Sequence, residues 1–276
     1  MKEEHLVDKV LHKLVKKHIA GTNMSSAIEK AKELNGKGVP VSLTFLSDVP
    51  RDRSKAKYIT STYLELIRQA ARLHLKASVQ VPLEQIGSTI ARDAVLANMK
   101  DIVAAGNRYG IFLWFEADEG NMDIAEELGP ARGCGISADI STAKAYVKRH
   151  KRVNMIKVRC GKPHAEKAGK KSPDEIGEIE EIAKRSGSTM LTHMHDGVPN
   201  AFLKNGSKYR KSLIFEFQLG YSGKKMSRIT KRGGRLSVCV PFGKDWARYA
   251  MNTVPEGYIR FLASNLLNEA DSNTSV

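Results

Sequence analysis

Eight short, strand-like runs recur along the chain, and each is followed by a segment with a helical or helix-like pattern. Strands that alternate with helices favour a parallel sheet, because each helix returns the chain to the same end of the sheet. Eight such units predict an α/β fold, a single (β/α)8 barrel of the TIM type, with functional residues at the carboxyl ends of the strands. The runs are Val41–Leu46, Leu75–Pro82, Ile111–Ala117, Gly135–Ile140, Asn154–Cys160, Thr189–Met194, Leu213–Leu219 and Arg235–Val240.

The domain organisation predicted from this pattern is one barrel with extra N-terminal helices. Residues 1–40 contain two helical patterns, Glu3–Ala20 and Ser25–Asn35, which we expect to pack on the barrel; residues 41–268 form the barrel, and 269–276 a polar tail. The last barrel helix is predicted from Asp245 to Leu267. An open doubly wound sheet is the other architecture considered, but no GxGxxG motif follows the first strand.

The charge of the chain favours anionic partners. Its 45 Lys and Arg against 30 Asp and Glu give a net charge of +15. The densest basic run, 148–171, has no aromatic residue to stack on bases, so we expect no specific nucleic-acid partner. No apolar run is long enough to span a bilayer, so any membrane contact is expected to be peripheral. Without a signal-peptide pattern or a cysteine framework, we expect a cytoplasmic protein.

Two motifs near the end of the barrel carry a resemblance to a known family. FEFQLGY at 215–221, followed by VPFGKDWARYAM at 240–251, resembles the closing strands and last helix of proline dehydrogenases. Weaker matches to earlier strands occur in the same order along the chain. The resemblance implies a (β/α)8 barrel that binds FAD and oxidises proline, or a related secondary amine, to an imine by hydride transfer. It also implies proline catabolism as the context and a quinone as the electron acceptor.

The same resemblance implies a set of flavin-binding residues. Lys157 stands where the family has an arginine near the flavin N5, and it is therefore the candidate catalytic residue, because a cation there stabilises the reduced, anionic flavin. Ser137 stands in place of a flavin-contacting glutamine, and Cys160 in place of a lysine. The implied cofactor-binding residues are Phe115, Ser137, Lys157, Cys160, Gly161, Lys162, Thr192 and His193.

The implied substrate-binding residues depart from the family pattern. The family has a lysine at Gln80, an aspartate at Trp114, a tyrosine at Cys239, and two carboxylate-binding arginines at Asn252 and Thr253. Glu256 matches the family's glutamate. Because asparagine and threonine carry no charge, the sequence argues against tight proline binding by the usual bidentate arginine contacts. Arg159, on the same strand face as Lys157, or Arg248, one helical turn before Asn252, are the candidate replacements.

Two other functions remain open from the residues themselves. The barrel could be a non-catalytic relative that binds an anionic ligand or a partner. Alternatively, His193, His195 and Asp196 form an HxH pattern of the kind found in metal-dependent barrel hydrolases, although the flavin interpretation needs no metal. Glu216 and Gln218 share one face of their strand, where a structural hydrogen-bonding role is at least as plausible as a catalytic one.

Overall fold

The eight strands form a closed parallel barrel, which confirms the predicted fold class. The computed structural model describes residues 17–127, 133–150, 153–160, 175–192, 197–204, 212–220 and 223–244. Each strand pairs with the next along the chain, and β8 pairs with β1 to close the barrel. The strands are β1 Val41–Leu46, β2 Ala77–Pro82, β3 Phe112–Glu116, β4 Cys134–Asp139, β5 Val153–Arg159, β6 Ser186–Thr192, β7 Leu213–Gln218 and β8 Arg235–Gly243.

Helices precede β1 and follow each of the first seven strands within the described residues. Asn23 and Asp52 cap the first two of them by accepting bonds from backbone N–H groups of the first turn. The helices are α1 Met24–Gly36, α2 Arg53–Arg72, α3 Arg92–Tyr109, α4 Met122–Glu126, α5 Ile140–Arg149, α6 Glu175–Arg185, α7 Gly197–Lys204 and α8 Gly223–Lys231, with a 3-10 helix at Leu83–Ile86. None of these helices is both long and apolar enough to cross a membrane.

The main hydrophobic core lies between the barrel and its helices. Alternate residues of each strand face this layer, as the two-residue period of a strand requires. On β2 and β5, for example, Val79, Val81, Ile156 and Val158 are completely buried in it. The remaining strand residues therefore face the interior of the barrel, where the lower layer is apolar and the upper layer, towards the carboxyl ends, is polar.

The lower interior layer is built around Trp114. Its indole packs with Phe112, Met155, Met190 and Ile214, which belong to β3, β5, β6 and β7. The ring centroids of Phe112 and Trp114 are 4.9 Å apart, in tilted geometry.

A glycine on the next strand makes room for this indole. Trp114 lies beside Gly135 in the β3–β4 register. A Cβ atom at Gly135 would lie 2.6 Å from Trp114 Cζ3, closer than carbon atoms approach one another without strain. The glycine therefore sets the position of the largest side chain inside the barrel.

The segment Lys17–Gly21 crosses the carboxyl ends of β7 and β8. The Ala20 amide donates a 2.8 Å hydrogen bond to the carbonyl of Pro241, and the His18 ring nitrogen Nδ1 lies 2.7 Å from the carbonyl oxygen of Leu219. These contacts hold the segment in a non-helical conformation. The prediction that the first helix continues to Ala20 is therefore wrong, because its backbone groups bond to the barrel instead.

Several boundaries differ from those predicted. β6 begins at Ser186, before its predicted start, and its predicted end at Met194 lies outside the described residues. β8 continues through Pro241 to Gly243, because its residues Val238–Gly243 pair with the whole of β1. The rest of the first predicted helix and the last predicted helix, Asp245–Leu267, lie outside the described residues. The domain limits at residues 40 and 268 stay predictions.

The close contact at Gly135 makes a stability prediction. Gly135→Ala should lower the free energy of unfolding by about 1–3 kcal/mol, because the added methyl group overpacks against Trp114. Gly36→Ala is the control, since no atom lies within 4 Å of the added Cβ and the substitution should be neutral or stabilising. Urea unfolding measures both, and equal effects at the two positions would contradict the packing argument.

Candidate active site

Lys157 is the centre of the polar layer inside the barrel. Its side chain is 0% exposed, and its ammonium group forms a 2.6 Å ion pair with Glu216 of β7. It also donates hydrogen bonds to Gln80 Oε1 of β2 at 2.6 Å and to Ser42 Oγ of β1 at 3.4 Å. Since β5 is adjacent to none of these strands, all three contacts pass through the barrel interior. Gln80 and Ser42 thus accept two hydrogen bonds from the ammonium group, and Glu216 supplies its counter-charge.

The network continues from Gln80 to the mouth of the barrel. Gln80 Nε2 donates a 2.6 Å hydrogen bond to Glu116 Oε2, at the end of β3. Glu116 in turn accepts a hydrogen bond from Arg159, which also donates to the carbonyl of Ala117 at 3.2 Å. The side chains of Arg159 and Glu116 remain 21% and 28% exposed. One connected chain of side chains thus runs from the buried Glu216 to the solvent-exposed rim.

Because both side chains are buried, losing the Lys157–Glu216 ion pair would lower the stability of the fold. The Glu216 side chain is 1% exposed, and neither of its oxygens accepts an aligned hydrogen bond from the described residues. The 2.6 Å approach of Lys157 is therefore an ion pair held by charge attraction rather than by hydrogen-bond geometry. A buried carboxylate that lost this cation would be left without a counter-charge in a medium of low polarity.

Two buried hydroxyl groups flank β5 and lack hydrogen-bond partners among the described residues. They are Ser137 Oγ on β4 and Thr192 Oγ1 on β6. Ser137 is in register with Lys157, and Thr192 is in register with Arg159. An unsatisfied buried polar group costs about 1–3 kcal/mol, so each hydroxyl suits a ligand with hydrogen-bonding atoms. Both residues were predicted to contact a flavin, and these unused donors and acceptors fit such a polar ring edge.

Other candidates from the sequence lie outside this polar layer. Phe115 and Cys160 are buried in the core between the barrel and the helices, so the structure does not bring them together with Lys157. Trp114 lies lower in the barrel, where Lys157 Nζ is 5.9 Å from its ring centroid. Cys239 lies inside, with its sulfur 3.6 Å from Thr44 Oγ1. Burial, with a further contribution from Glu216, raises the pKa of the Cys239 thiol to about 12, so it stays protonated and unreactive.

The remaining predicted site residues lie outside the described part of the chain. Their roles stay predictions, as do the roles assigned to the described candidates. The residues outside the described part are the cofactor candidates Gly161, Lys162 and His193, the substrate candidates Asn252, Thr253 and Glu256, and the possible replacement Arg248. His195 and Asp196 of the HxH pattern also lie outside the described residues. Among the described residues, no three His, Cys, Asp or Glu side chains form a metal-binding group.

Sequence reasoning missed Glu116 and Ser42 as members of the site. Both residues lie within predicted strands, Ile111–Ala117 and Val41–Leu46, but the sequence assigned neither of them a role. The available signal was strand parity: Ser42 lies on the opposite face of β1 from the core residues Val41 and Leu43. Parity indicates an inward side chain, but it does not identify which residue on a distant strand that side chain contacts.

Comparison with known proteins finds proline dehydrogenases among the relatives of this chain. No family model matches the sequence. The chain is 22% identical over 261 residues to proline dehydrogenase 1 of Bacillus subtilis, covering 87% of this chain and 86% of the relative. It is 21% identical over 279 residues to the proline dehydrogenase of Deinococcus radiodurans, covering 92% and 89%. The resemblance read from the motifs is therefore confirmed over most of the chain.

Solved structures give the same fold. Proline utilization A from Bdellovibrio bacteriovorus, inactivated by N-propargylglycine, superposes with a TM-score of 0.70 at 15% identity. The match covers 90% of this chain, whereas the chain spans only 33% of that longer protein. The likeness supports the barrel architecture and corresponds to one part of the larger molecule.

The buried ion pair predicts a large stability effect. Lys157→Met should lower the free energy of unfolding by about 3–5 kcal/mol, because it leaves Glu216 buried without its cation. The double variant Lys157→Met/Glu216→Leu should recover most of that loss. Lys57→Met is the control: its pair with Asp101 is exposed, and removing it should cost at most about 1 kcal/mol.

Chemical denaturation of the three variants measures these differences. A Lys157→Met variant no less stable than Lys57→Met would contradict the assignment. So would a double variant as unstable as the single one, since the unpaired carboxylate is then not the cause.

Proposed function

Because the chain resembles proline dehydrogenases over most of its length, we propose that it is a flavin-dependent oxidoreductase that converts a secondary amine to an imine. The observation that supports the proposal is the pair of buried hydroxyls on either side of β5, Ser137 and Thr192, which have no hydrogen-bond partner among the described residues. They lie towards the carboxyl ends of the strands, where barrel enzymes place their active sites. FAD is the proposed cofactor, and a quinone is the proposed electron acceptor.

Some residues of the chain would bind the cofactor, and others would orient the side chains around it. Ser137 and Thr192 would hydrogen-bond the polar edge of the cofactor, and Arg159 would supply a partly exposed cation at the rim. Lys157 would act as a positioning residue, because its ammonium group already donates to Gln80 and Ser42 and is paired with Glu216. This assignment replaces the direct flavin contact that the sequence suggested for Lys157.

The proposed reaction breaks a C–H and an N–H bond of the amine. When bound, the flavin would accept the hydride with its electron pair from the carbon next to nitrogen. The N–H proton leaves to solvent, and the carbon–nitrogen double bond forms. The apolar layer around Trp114 closes the lower end of the barrel interior, so substrate would have to enter from the carboxyl ends of the strands.

A non-catalytic ligand-binding barrel is the second candidate. The contacts of Lys157 favour it, because its ammonium group already has a counter-charge and two hydrogen-bond acceptors within the protein. The visible absorption spectrum of the purified protein separates the two functions. Flavin bands, present on purification or after addition of FAD, are expected for the oxidoreductase. A colourless protein that takes up no FAD would rule it out and leave the binding function.

The unpartnered hydroxyls provide a sharper prediction. Ser137→Ala and Thr192→Val should each weaken FAD binding about fivefold, the size of one net hydrogen bond of about 1 kcal/mol. The unfolding temperature of the apoprotein should stay the same or rise, because each variant removes a buried hydroxyl that no described residue hydrogen-bonds. Thr62→Val is the control, since that hydroxyl donates to the carbonyl of Tyr58 within α2, in an exposed position away from the site.

FAD titration followed by fluorescence, together with thermal unfolding, measures both quantities. If the variants bind FAD as tightly as wild type, these hydroxyls do not hold the cofactor. If they instead lower the stability of the apoprotein, the two hydroxyls serve the fold rather than the ligand.

A further inference from the structure

Most of the positive charge of the chain comes from one continuous stretch of the barrel sequence. Residues 197–244, which include α7, β7, α8 and β8, contain eleven Lys and Arg but only one acidic residue, Glu216. Glu216 lies inside the barrel in its ion pair with Lys157, so it does not offset charge on the outer surface. This stretch therefore supplies most of the net charge of +15.

Helix α8 turns several of these cations towards solvent. Ile229 is buried in the core between the barrel and its helices, and Met226 packs against the same core. Lys224, Arg228 and Lys231 are exposed. They follow one another at spacings of four and three residues, which places them on one face of the helix. The apolar side of α8 thus binds the barrel, and a row of cations faces outward.

The turn after α8 adds two more exposed cations, Arg232 and Arg235, at the amino-terminal ends of the strands. The Gly234 amide donates a 3.0 Å hydrogen bond to the carbonyl of Ile229. A Cβ atom at Gly234 would lie 2.6 Å from Ile229 Cγ2, so glycine permits this tight turn. We define the basic face as the exposed cations Lys224, Arg228, Lys231, Arg232 and Arg235.

Cations on other outer helices pair with acidic residues of the neighbouring helix. Arg53 of α2 pairs with Asp93 of α3 at 2.7 Å, and Lys144 of α5 pairs with Glu181 of α6 at 3.2 Å. By contrast, neither α7 nor α8 contains an acidic residue that could form such a pair. Like charges three or four positions apart destabilise a helix slightly, so an anionic partner would relieve the repulsion along α8.

The spacing of the cations indicates the kind of partner. Lys224 and Lys231 are about 10 Å apart along the helix axis, at a rise of about 1.5 Å per residue. One small anion cannot reach both ends of such a row, whereas a surface with many anionic groups can. Residues 223–235 contain no aromatic side chain on which a base could stack, which disfavours single-stranded nucleic acid.

We propose that the basic face is a docking surface for an anionic membrane, bound through the phosphate groups of its lipids. Exposed Lys and Arg side chains are attracted to the negative surface potential of such membranes. Because the core of the barrel already uses the apolar side of α8, the contact is electrostatic and is weakened by salt.

This docking surface is separate from the candidate active site. The basic face lies on the outside of the barrel and at the amino-terminal ends of the strands, whereas the polar layer around Lys157 lies inside. The inference therefore does not depend on the proposed oxidoreductase function, and a failure of one leaves the other standing.

Cosedimentation of the full chain with lipid vesicles tests the inference. Vesicles of phosphatidylcholine with about one third phosphatidylglycerol should bind the protein at about 0.1 M salt, and vesicles of phosphatidylcholine alone should not. Raising the salt to about 0.5 M should release the protein, because the charges are then screened. Equal binding to both kinds of vesicle, or no binding to the anionic vesicles, would overturn the inference.

A double variant assigns the binding to the basic face. Arg228→Gln/Lys231→Gln should weaken binding to the anionic vesicles at least about tenfold. Both side chains are exposed, so thermal unfolding should show an intact fold. The matched control is Lys55→Gln/Lys100→Gln, which removes two exposed cations from α2 and α3 and should bind as wild type. Equal weakening in the two variants would show only an effect of net charge and would contradict the assignment.

Duplex DNA is the competitor that separates a membrane from a nucleic acid. It is added to the vesicle-bound protein at the same phosphate concentration as the anionic lipid. Most of the protein should remain on the vesicles. Displacement of most of the protein would assign the basic face to nucleic acid and would overturn the membrane assignment.

Discussion

The ion pair between Lys157 and Glu216 is the interaction on which the barrel interior depends. A charge can be buried only if another charge and hydrogen-bonding groups replace the water that it loses. Glu216 provides the charge, and Gln80 and Ser42 provide the remaining contacts. Trp114 fills the space beneath. The division of the interior into a polar upper layer and an apolar lower layer follows from this requirement.

The fold could be predicted because the sequence patterns that indicate it are local. Each strand is a short apolar run, and each following helix has its own periodicity, so eight repeats point to a barrel without knowledge of any distant contact. The end of the first helix could not be predicted in that way. Its residues bond to Leu219 and Pro241, about two hundred positions later, and these tertiary contacts override the local helical pattern.

The candidate site was only partly predictable for the same reason. Lys157, Ser137 and Thr192 could be proposed from the resemblance, and strand parity placed Glu216 on one face of its strand. The partners of Lys157 could not be proposed, because Gln80 is 77 residues away and on a strand three positions around the barrel. The contacts also show that positions 80, 114 and 157 are physically coupled. Restoring one residue of the family pattern alone would disturb the other two.

The bonds from the segment Lys17–Gly21 to the ends of β7 and β8 also affect the order of folding. Within the described residues, this segment bonds to Leu219 after β7 and to Pro241 and Gly243 in β8, and β1 likewise closes the barrel against β8. During synthesis, the amino-terminal part of the chain must therefore wait until nearly all of the barrel has been made. Contacts of such high sequence separation slow folding. A barrel truncated before β8 would remove the partner of the Ala20 amide and leave one edge of β1 unpaired.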